Sequence, residues 1–348
     1  MKWNFLRNNS FKIVIAGLSL VFLQCRDDSE KPTVTDNVLP SNNVISIYID
    51  DNNIKWFGTD SGLVFMSDDK FIVYDSDNGV AGDLISSLSH QTGNSGDELW
   101  VATNSGVSVH SYDVDGITAA TVYHEDNSGL QNDTVNAINV DSDNVRWIGT
   151  NIGLSVFAGH DWISKLFTEL RPRIRSKKIN CIESGRDGWN YVGTKGDGVA
   201  RYKYDAVDGI TGASMIDTDW SDIPDDNVLS VFIDEWGNQY YGTANGAAVH
   251  EGTETRENWT VYSNEDGLPG DSVLTVFMDS KNRFWMGTPQ GLSMKDGDAW
   301  HNYTTDEGLS GNRINAIDED ISGNIWVATN AGISVFDGSA WKIYKNEY

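Results

Sequence analysis

The stretch Trp285–Leu309 reads WMGTPQGLSMKDGDAWHNYTTDEGL, and a close variant, WVATNAGISVFDGSAWKIY, follows at Trp326–Tyr344. Self-similarity at a fixed period marks a chain built from stacked copies of one unit. The phrase occurs seven times. Its core is a Trp or Tyr, an apolar residue, a Gly or Ala, and then Thr: Trp56–Thr59, Trp100–Thr103, Trp147–Thr150, Tyr191–Thr194, Tyr240–Thr243, Trp285–Thr288 and Trp326–Thr329. Successive Thr residues stand 41 to 49 residues apart, the period of four-stranded propeller blades. A Gly follows each Thr three places on, as Gly62, Gly106, Gly153, Gly246, Gly291 and Gly332, or four places on in the fourth copy, as Gly198.

Within the sixth copy the signals are those of short strands. SVLTVFMD alternates, Asp279 to Asn282 supplies a polar turn, RFWMGT is a second strand, PQG turns, LSMKD runs back and AWHNYT completes a meander. In NIWVAT the apolar residues lie on both faces, Trp326 on one and Ile325 with Val327 on the other, so the sheet must be covered on both sides. The predicted fold is all-β: a seven-bladed β-propeller of four-stranded antiparallel blades spanning 42–348, closed by packing blade 7 on blade 1, with Thr33 to Thr35 as an extra edge strand. The Gly or Ala of each core is expected to face a tight gap against the neighbouring blade's backbone. The Thr hydroxyl is expected to satisfy a buried backbone group at every joint.

These motifs resemble the two-component regulator propeller repeat, and the resemblance covers Asn42 to Tyr344. It implies a ligand-sensing propeller of the bacterial envelope. The family's sensors continue into kinase modules that these 348 residues do not contain, so the expectation is the sensing propeller alone. The N-terminal segment fits an envelope address. Lys2, Arg7 and Lys12 precede an apolar run, Ile13 to Leu23, too short to span a bilayer, and Cys25 follows. This resembles a bacterial lipoprotein signal, residues 1–24, with Cys25 lipidated and 25–41 a linker, although Gln24 stands where a small residue is usual. Arg26, Asp27 and Asp28 are similar to the surface-export signal of Bacteroidota lipoproteins. An ordinary cleaved signal or an uncleaved anchor, a solvated linker and a periplasm-facing location are the alternatives.

A formal charge of −26 disfavours nucleic acid and anionic lipid surfaces as partners, leaving the membrane reached only through the lipid anchor. With Cys25 acylated, Cys181 has no disulfide partner, and INCI reads as a small buried hydrophobe. Ligands of propellers enter at the channel mouth where the b–c and d–a loops converge. The b–c loops offer Asp60, Asn104, Asn151, Lys195, Asp197, Asn245, Gln290 and Asn330, a polar ring suited to a glycan, a peptide or another small ligand. Six bases between Lys165 and Lys178, Arg171, Arg173 and Arg175 among them, add a basic segment suited to carboxylate or sulfate groups. No catalytic residue and no cofactor is predicted. DSDNG at Asp75, DVDG at Asp113 and DAVDG at Asp205 could bring oxygens to calcium but lack the full twelve-residue loop, so no metal ligand is assigned. His110 and His250 occupy the place of Phe157 and Phe336 in their repeats and read as packing residues. Docking to another envelope protein is a second reading. A third is an enzyme resembling streptogramin lyase, a propeller that uses a His base and a divalent metal.

Overall fold

The computed structural model describes residues 33–35, 38–67, 70–91, 97–163, 176–205, 209–252 and 258–346. The sequence assignments to Cys25, Arg26, Asp27, Asp28, Arg171, Arg173 and Arg175 lie outside the described residues. Seven antiparallel sheets follow one another along the chain, each a meander of strands a, b, c and d. Strand a is Val44–Ile49, Ile85–Gln91, Val135–Val140, Ile179–Ser184, Val228–Ile233, Thr275–Met278 and Ile314–Glu319 in blades 1 to 7. Each strand a meets those of both neighbouring blades, blade 7 meeting blade 1, so the sheets close into a ring around a central channel. Thr33–Thr35 adds a fifth strand to the outer edge of blade 1, paired with strand d, Lys70–Tyr74. Among the described residues there is no α-helix, hence none long and apolar enough to cross a membrane.

Strand b carries the repeat core and is buried on both faces. In blade 6, Trp285 packs with Ile314, Ile325 and Phe336 of blade 7, whereas Met286 packs with Tyr240 and Val249 of blade 5. Trp56, Trp100, Trp147 and Trp285 are almost wholly buried in this way. Burial of one such ring contributes on the order of 2–3 kcal/mol, so the stacked blades, and not a shared centre, form the core.

Each Thr of the core is a local staple. Its hydroxyl donates to the carbonyl of the following Gly at 2.8 to 2.9 Å in all seven blades. The same oxygen accepts a backbone N–H inside the b–c turn, as in Ser105 N to Thr103 Oγ1 at 3.0 Å. The Gly has a reason of its own. At Gly332, with φ +127°, an added Cβ would stand 2.5 Å from the Tyr344 carbonyl of strand d.

The third core position is tight, but its neighbour differs from the sequence expectation. An added Cβ at Gly58, Gly149 or Gly287 would meet the side chain of Ile85, Ile179 or Ile314, the first residue of the next blade's strand a. Only at Gly242 is the nearest atom a backbone one, the Val273 carbonyl. The joint is therefore mainly side chain against strand.

On the other face of the ring the a–b turns are organised by an Asp that sequence reading missed. Asp141, Asp279 and Asp320 each accept two backbone N–H groups of their turn and the indole Nε1–H six residues on, of Trp147, Trp285 and Trp326. Asp234 does the same with the Tyr240 hydroxyl. Among the described residues no strand is shared across the seam between blades 7 and 1. Leu39, Val44 and Phe57 pack on Trp326, Ala328 and Val335 there, and Asn42 and Asn346 exchange hydrogen bonds, Asn346 N to Asn42 Oδ1 and Asn42 Nδ2 to the Asn346 carbonyl.

Candidate binding site at the channel mouth

Strands alternate in direction, so the b–c turns and d–a connections share one face of the ring. The residue after the core Thr donates its N–H to the carbonyl just before strand a: Asn104 to Leu84, Asn151 to Thr134, Lys195 to Lys178, Ala244 to Asn227 and Asn330 to Arg313, at 3.0 to 3.3 Å. That bond sets each b–c turn against the channel rim. Asn104, Asn151, Lys195 and Asn330 stand there exposed, and Asp60 holds the same place in blade 1. Asp60 accepts from Asn43 Nδ2 at 3.0 Å; partial burial pushes its carboxyl up, but hydrogen bonds from Ser41, Asn43 and Ser61 outweigh it and hold it low.

Asn245 and Gln290 stand two residues after the core Thr, and Asp197 three. Blades 5 and 6 fill the rim position with Ala244 and Pro289, which puts Asn245 and Gln290 one place on. Asp197, two places on, accepts the Ser176 N–H and donates its own N–H to Thr194 Oγ1. The ring is thus polar in five blades and apolar in two.

Just inside the rim lies the second residue of strand a in six blades, and in blade 6 Leu274, immediately before strand a. Ser86, Asn136, Asn180 and Asn315 donate to the carbonyl of Val135, Ile179, Val228 and Val44 in the next blade, at 2.6 to 3.0 Å. These polar groups are engaged in holding blades together. Blades 1, 5 and 6 carry Ile45, Leu229 and Leu274 at the same place, part-exposed and outside every buried apolar cluster.

Deeper in the channel wall are two carboxylates. Burial pushes Glu183 from 4.5 up to about 8. Burial likewise pushes Asp318 up to about 7, although the Glu319 and Ile49 N–H groups it accepts pull the other way. A carboxyl raised on folding is neutral in the ring and charged in the unfolded chain, so stability drains as pH rises between the two values. Glu183→Gln is therefore expected to leave melting near pH 4.5 unchanged and to raise the melting temperature progressively toward pH 8. Glu183 keeps part of its surface exposed, which holds the gain below the limit of about 1.4 kcal/mol per pH unit. Parallel melting-versus-pH curves for parent and variant would remove Glu183 as the cause.

The remaining sequence candidates are structural. His110 is wholly buried, its Nε2 2.9 Å from Ser108 Oγ, and burial pushes it down to about 3. His250 lies against Trp259 with ring centroids 4.7 Å apart. Burial pushes the Cys181 thiol up to about 12. Asp75 caps a single turn, Ser76–Asn78, and Asp113 accepts the Asp115 N–H in a c–d hairpin, so both sets of carboxylates serve their own turns. Residues 206–208 of the third acidic loop lie outside the described residues. Among the described residues no three His, Cys, Asp or Glu side chains are grouped to hold a metal.

The family model described as the two component regulator propeller matches residues 267–290 and 308–331. Both segments start at a left-handed Gly that closes a d–a loop, Gly267 or Gly308, and run through strands a and b to the rim turn. These two segments are similar to the two-component regulator propeller repeat. No curated protein matches the chain. Among solved structures it is similar to the extracellular domain of a hybrid two component system from B. thetaiotaomicron, with TM-score 0.60 and 19% identity over 88% of this chain and 52% of that one. It is also similar to PorZ, a surface component of the type-IX secretion system of Porphyromonas gingivalis, with TM-score 0.66 and 13% identity over 85% of this chain and 46% of PorZ. Virginiamycin B lyase from Staphylococcus aureus, inactivated at a histidine and solved with quinupristin, gives TM-score 0.63 and 13% identity over 88% of this chain and 98% of the lyase. At these identities the likeness is one of fold. The chain spans about half the length of the two-component extracellular domains it matches.

Proposed function

We propose that this repeat propeller is a non-catalytic ligand-binding module of the bacterial envelope, taking a small ligand, glycan or peptide at the channel mouth and presenting it for sensing. One observation carries the reading. The ring's joints are alike from blade to blade, the Thr staple in all seven, whereas the rim changes from blade to blade: Asp60, Asn104, Asn151, Lys195, Ala244, Pro289 and Asn330. Closure alone needs no such variation, while recognition of an asymmetric ligand does. The basic segment with Arg171, Arg173 and Arg175 leads along the chain into strand a of blade 4 and supplies further cations for that ligand. Lipidation at Cys25 would tether the ring to the outer membrane, and Arg26, Asp27 and Asp28 would direct it to the surface. The test is a glycan and peptide array probed with the processed protein. The combined change Asn104→Ala, Asn151→Ala and Lys195→Ala should weaken the ligands found by tenfold or more without lowering the melting temperature. Unchanged binding would place the site elsewhere.

A second reading, docking to another envelope protein, is favoured by the opposite face. Turn and hairpin tips there present Val114, Trp236 and Ile321, 61 to 70% exposed.

A further inference from the structure

The rim is not uniform, and the way its chemistry is divided points to a ligand class. Blades 5 and 6 form a continuous apolar sector: Ala244 and Pro289 at the rim, with Leu229 and Leu274 just inside. At the place of those leucines, blades 3, 4 and 7 have Asn136, Asn180 and Asn315, each tied to the next blade's carbonyl. Leu229 and Leu274 form no such bond and join no core cluster, and both keep part of their surface exposed beside the innermost strands.

Cations flank this sector on both sides. Blade 4 contributes Lys178 and Lys195, both exposed, joined by the bond from Lys195 N to the Lys178 carbonyl. Lys195 also bridges to Asn227, at the head of blade 5. On the far side, blade 7 contributes Arg313, exposed, its Nε donating to Asn315 Oδ1 at 3.2 Å, which holds the guanidinium on the channel wall. Among the described residues none of these three has an ion-pair partner. In a chain of formal charge −26, three unpaired cations around one apolar sector are not explained by charge balance. A hydroxyl-rich, uncharged ligand would leave Leu229 and Leu274 in contact with polar groups and the three cations unused.

We propose that the mouth binds an apolar carboxylate, its hydrocarbon part on Leu229, Leu274, Ala244 and Pro289 and its carboxylate held by Lys178 and Lys195 or by Arg313. This rests on the reading of the mouth as the binding site and narrows it. The shared chemistry is an apolar group joined to a free carboxylate, whether the C-terminus of a peptide or a small organic acid. Apolar contact supplies the affinity, and the cations select the charged end.

The test uses the full processed chain and a defined set of probes: N-acetyl-Leu-Phe as the free acid, the same dipeptide as its C-terminal amide, and phenylpropionate as a small acid. Calorimetric titration at low and at physiological salt is expected to show the free acid binding at least tenfold tighter than the amide, with that advantage shrinking in salt. Phenylpropionate binding as tightly as the dipeptide acid would assign the ligand to the small acids, and weaker binding would assign it to peptide termini. Either Lys178→Gln with Lys195→Gln or Arg313→Gln should erase the preference for acid over amide, and whichever does so identifies the side that holds the carboxylate. Leu229→Asn with Leu274→Asn, which installs the residue that blades 3, 4 and 7 already carry there, should weaken both dipeptides at least tenfold while the ring melts as the parent does. Equal binding of acid and amide, or no acid binding at millimolar concentration, would overturn the proposal. A neutral oligosaccharide that binds and is weakened by Asn104→Ala would, alongside that result, leave the mouth as the site and discard only the ligand class.

Discussion

Gly287→Leu is expected to destabilise the ring by about 3 kcal/mol, measured by thermal or urea unfolding. A Cβ alone at this position would lie 2.6 Å from Ile314 Cγ2 and 2.6 Å from Thr275 Cγ2. Ile314 is fully buried and heads the next blade's strand a, so neither side of the joint has room to yield. The other blades show what does fit. Where the next strand begins with Ile85, Ile179 or Ile314 the core residue is Gly, and both alanines of the series, Ala102 and Ala328, face a strand that begins with Val, Val135 or Val44. Blade 4 sets Gly193 against Val228, so a Val start admits either Gly or Ala while every Ile start goes with Gly. It follows that Gly287→Ala with Ile314→Val should be far less destabilising than Gly287→Ala alone, because it rebuilds the pair that blades 2 and 7 use. A leucine variant that melts like the parent would show that the blades are not in contact at this point.

The second large effect is expected from Asp279→Ala. This carboxylate, 3% exposed, accepts from Lys281 N, Arg283 N, Arg283 Nε and Trp285 Nε1 at 2.6 to 2.9 Å. Removing it leaves the indole donor and the turn amides unsatisfied and strands the nearly buried Arg283 guanidinium beside Trp285. Loss of one partner of a buried, hydrogen-bonded pair costs about 3–5 kcal/mol. Urea unfolding should show a loss of that size. A change under about 1 kcal/mol would mean that the four bonds merely accompany the turn.

The blades were legible because their signals are local. A core of Trp, apolar residue, Gly or Ala, and Thr, with Gly a fixed distance on, holds all the partners of the Thr staple within three or four residues. The Asp six residues before Trp147, Trp285 and Trp326 was equally local, yet it hid among the Asp and Asn that any polar turn contains. The rim was only partly legible, for a physical reason. Asn245 and Gln290 follow the place next to the core Thr, which blades 5 and 6 fill with Ala244 and Pro289, and residue type alone does not report that place. The engagement of Asn136, Asn180 and Asn315 joins residues 43, 48 and 271 positions apart, which no local pattern reports. The apolar sector and its flanking cations emerge only once the ring is closed.

The seam held by Asn42 and Asn346 has a kinetic meaning. Apart from the edge strand Thr33–Thr35 on blade 1, the hydrogen-bonded strand pairs of each blade join neighbours in sequence, so each blade can assemble from its own stretch of chain through hairpins that form quickly. One step alone is long-range. Docking blade 7 on blade 1 joins residues separated by 304 positions, at an entropic cost that is met only after the intervening blades have already shortened the path. A refolding chain whose ring has not closed is therefore an open arc with two sticky faces, Phe57 and Val64 at one end and Trp326 and Val335 at the other. Its principal hazard is finding the matching face of a second arc before it finds its own.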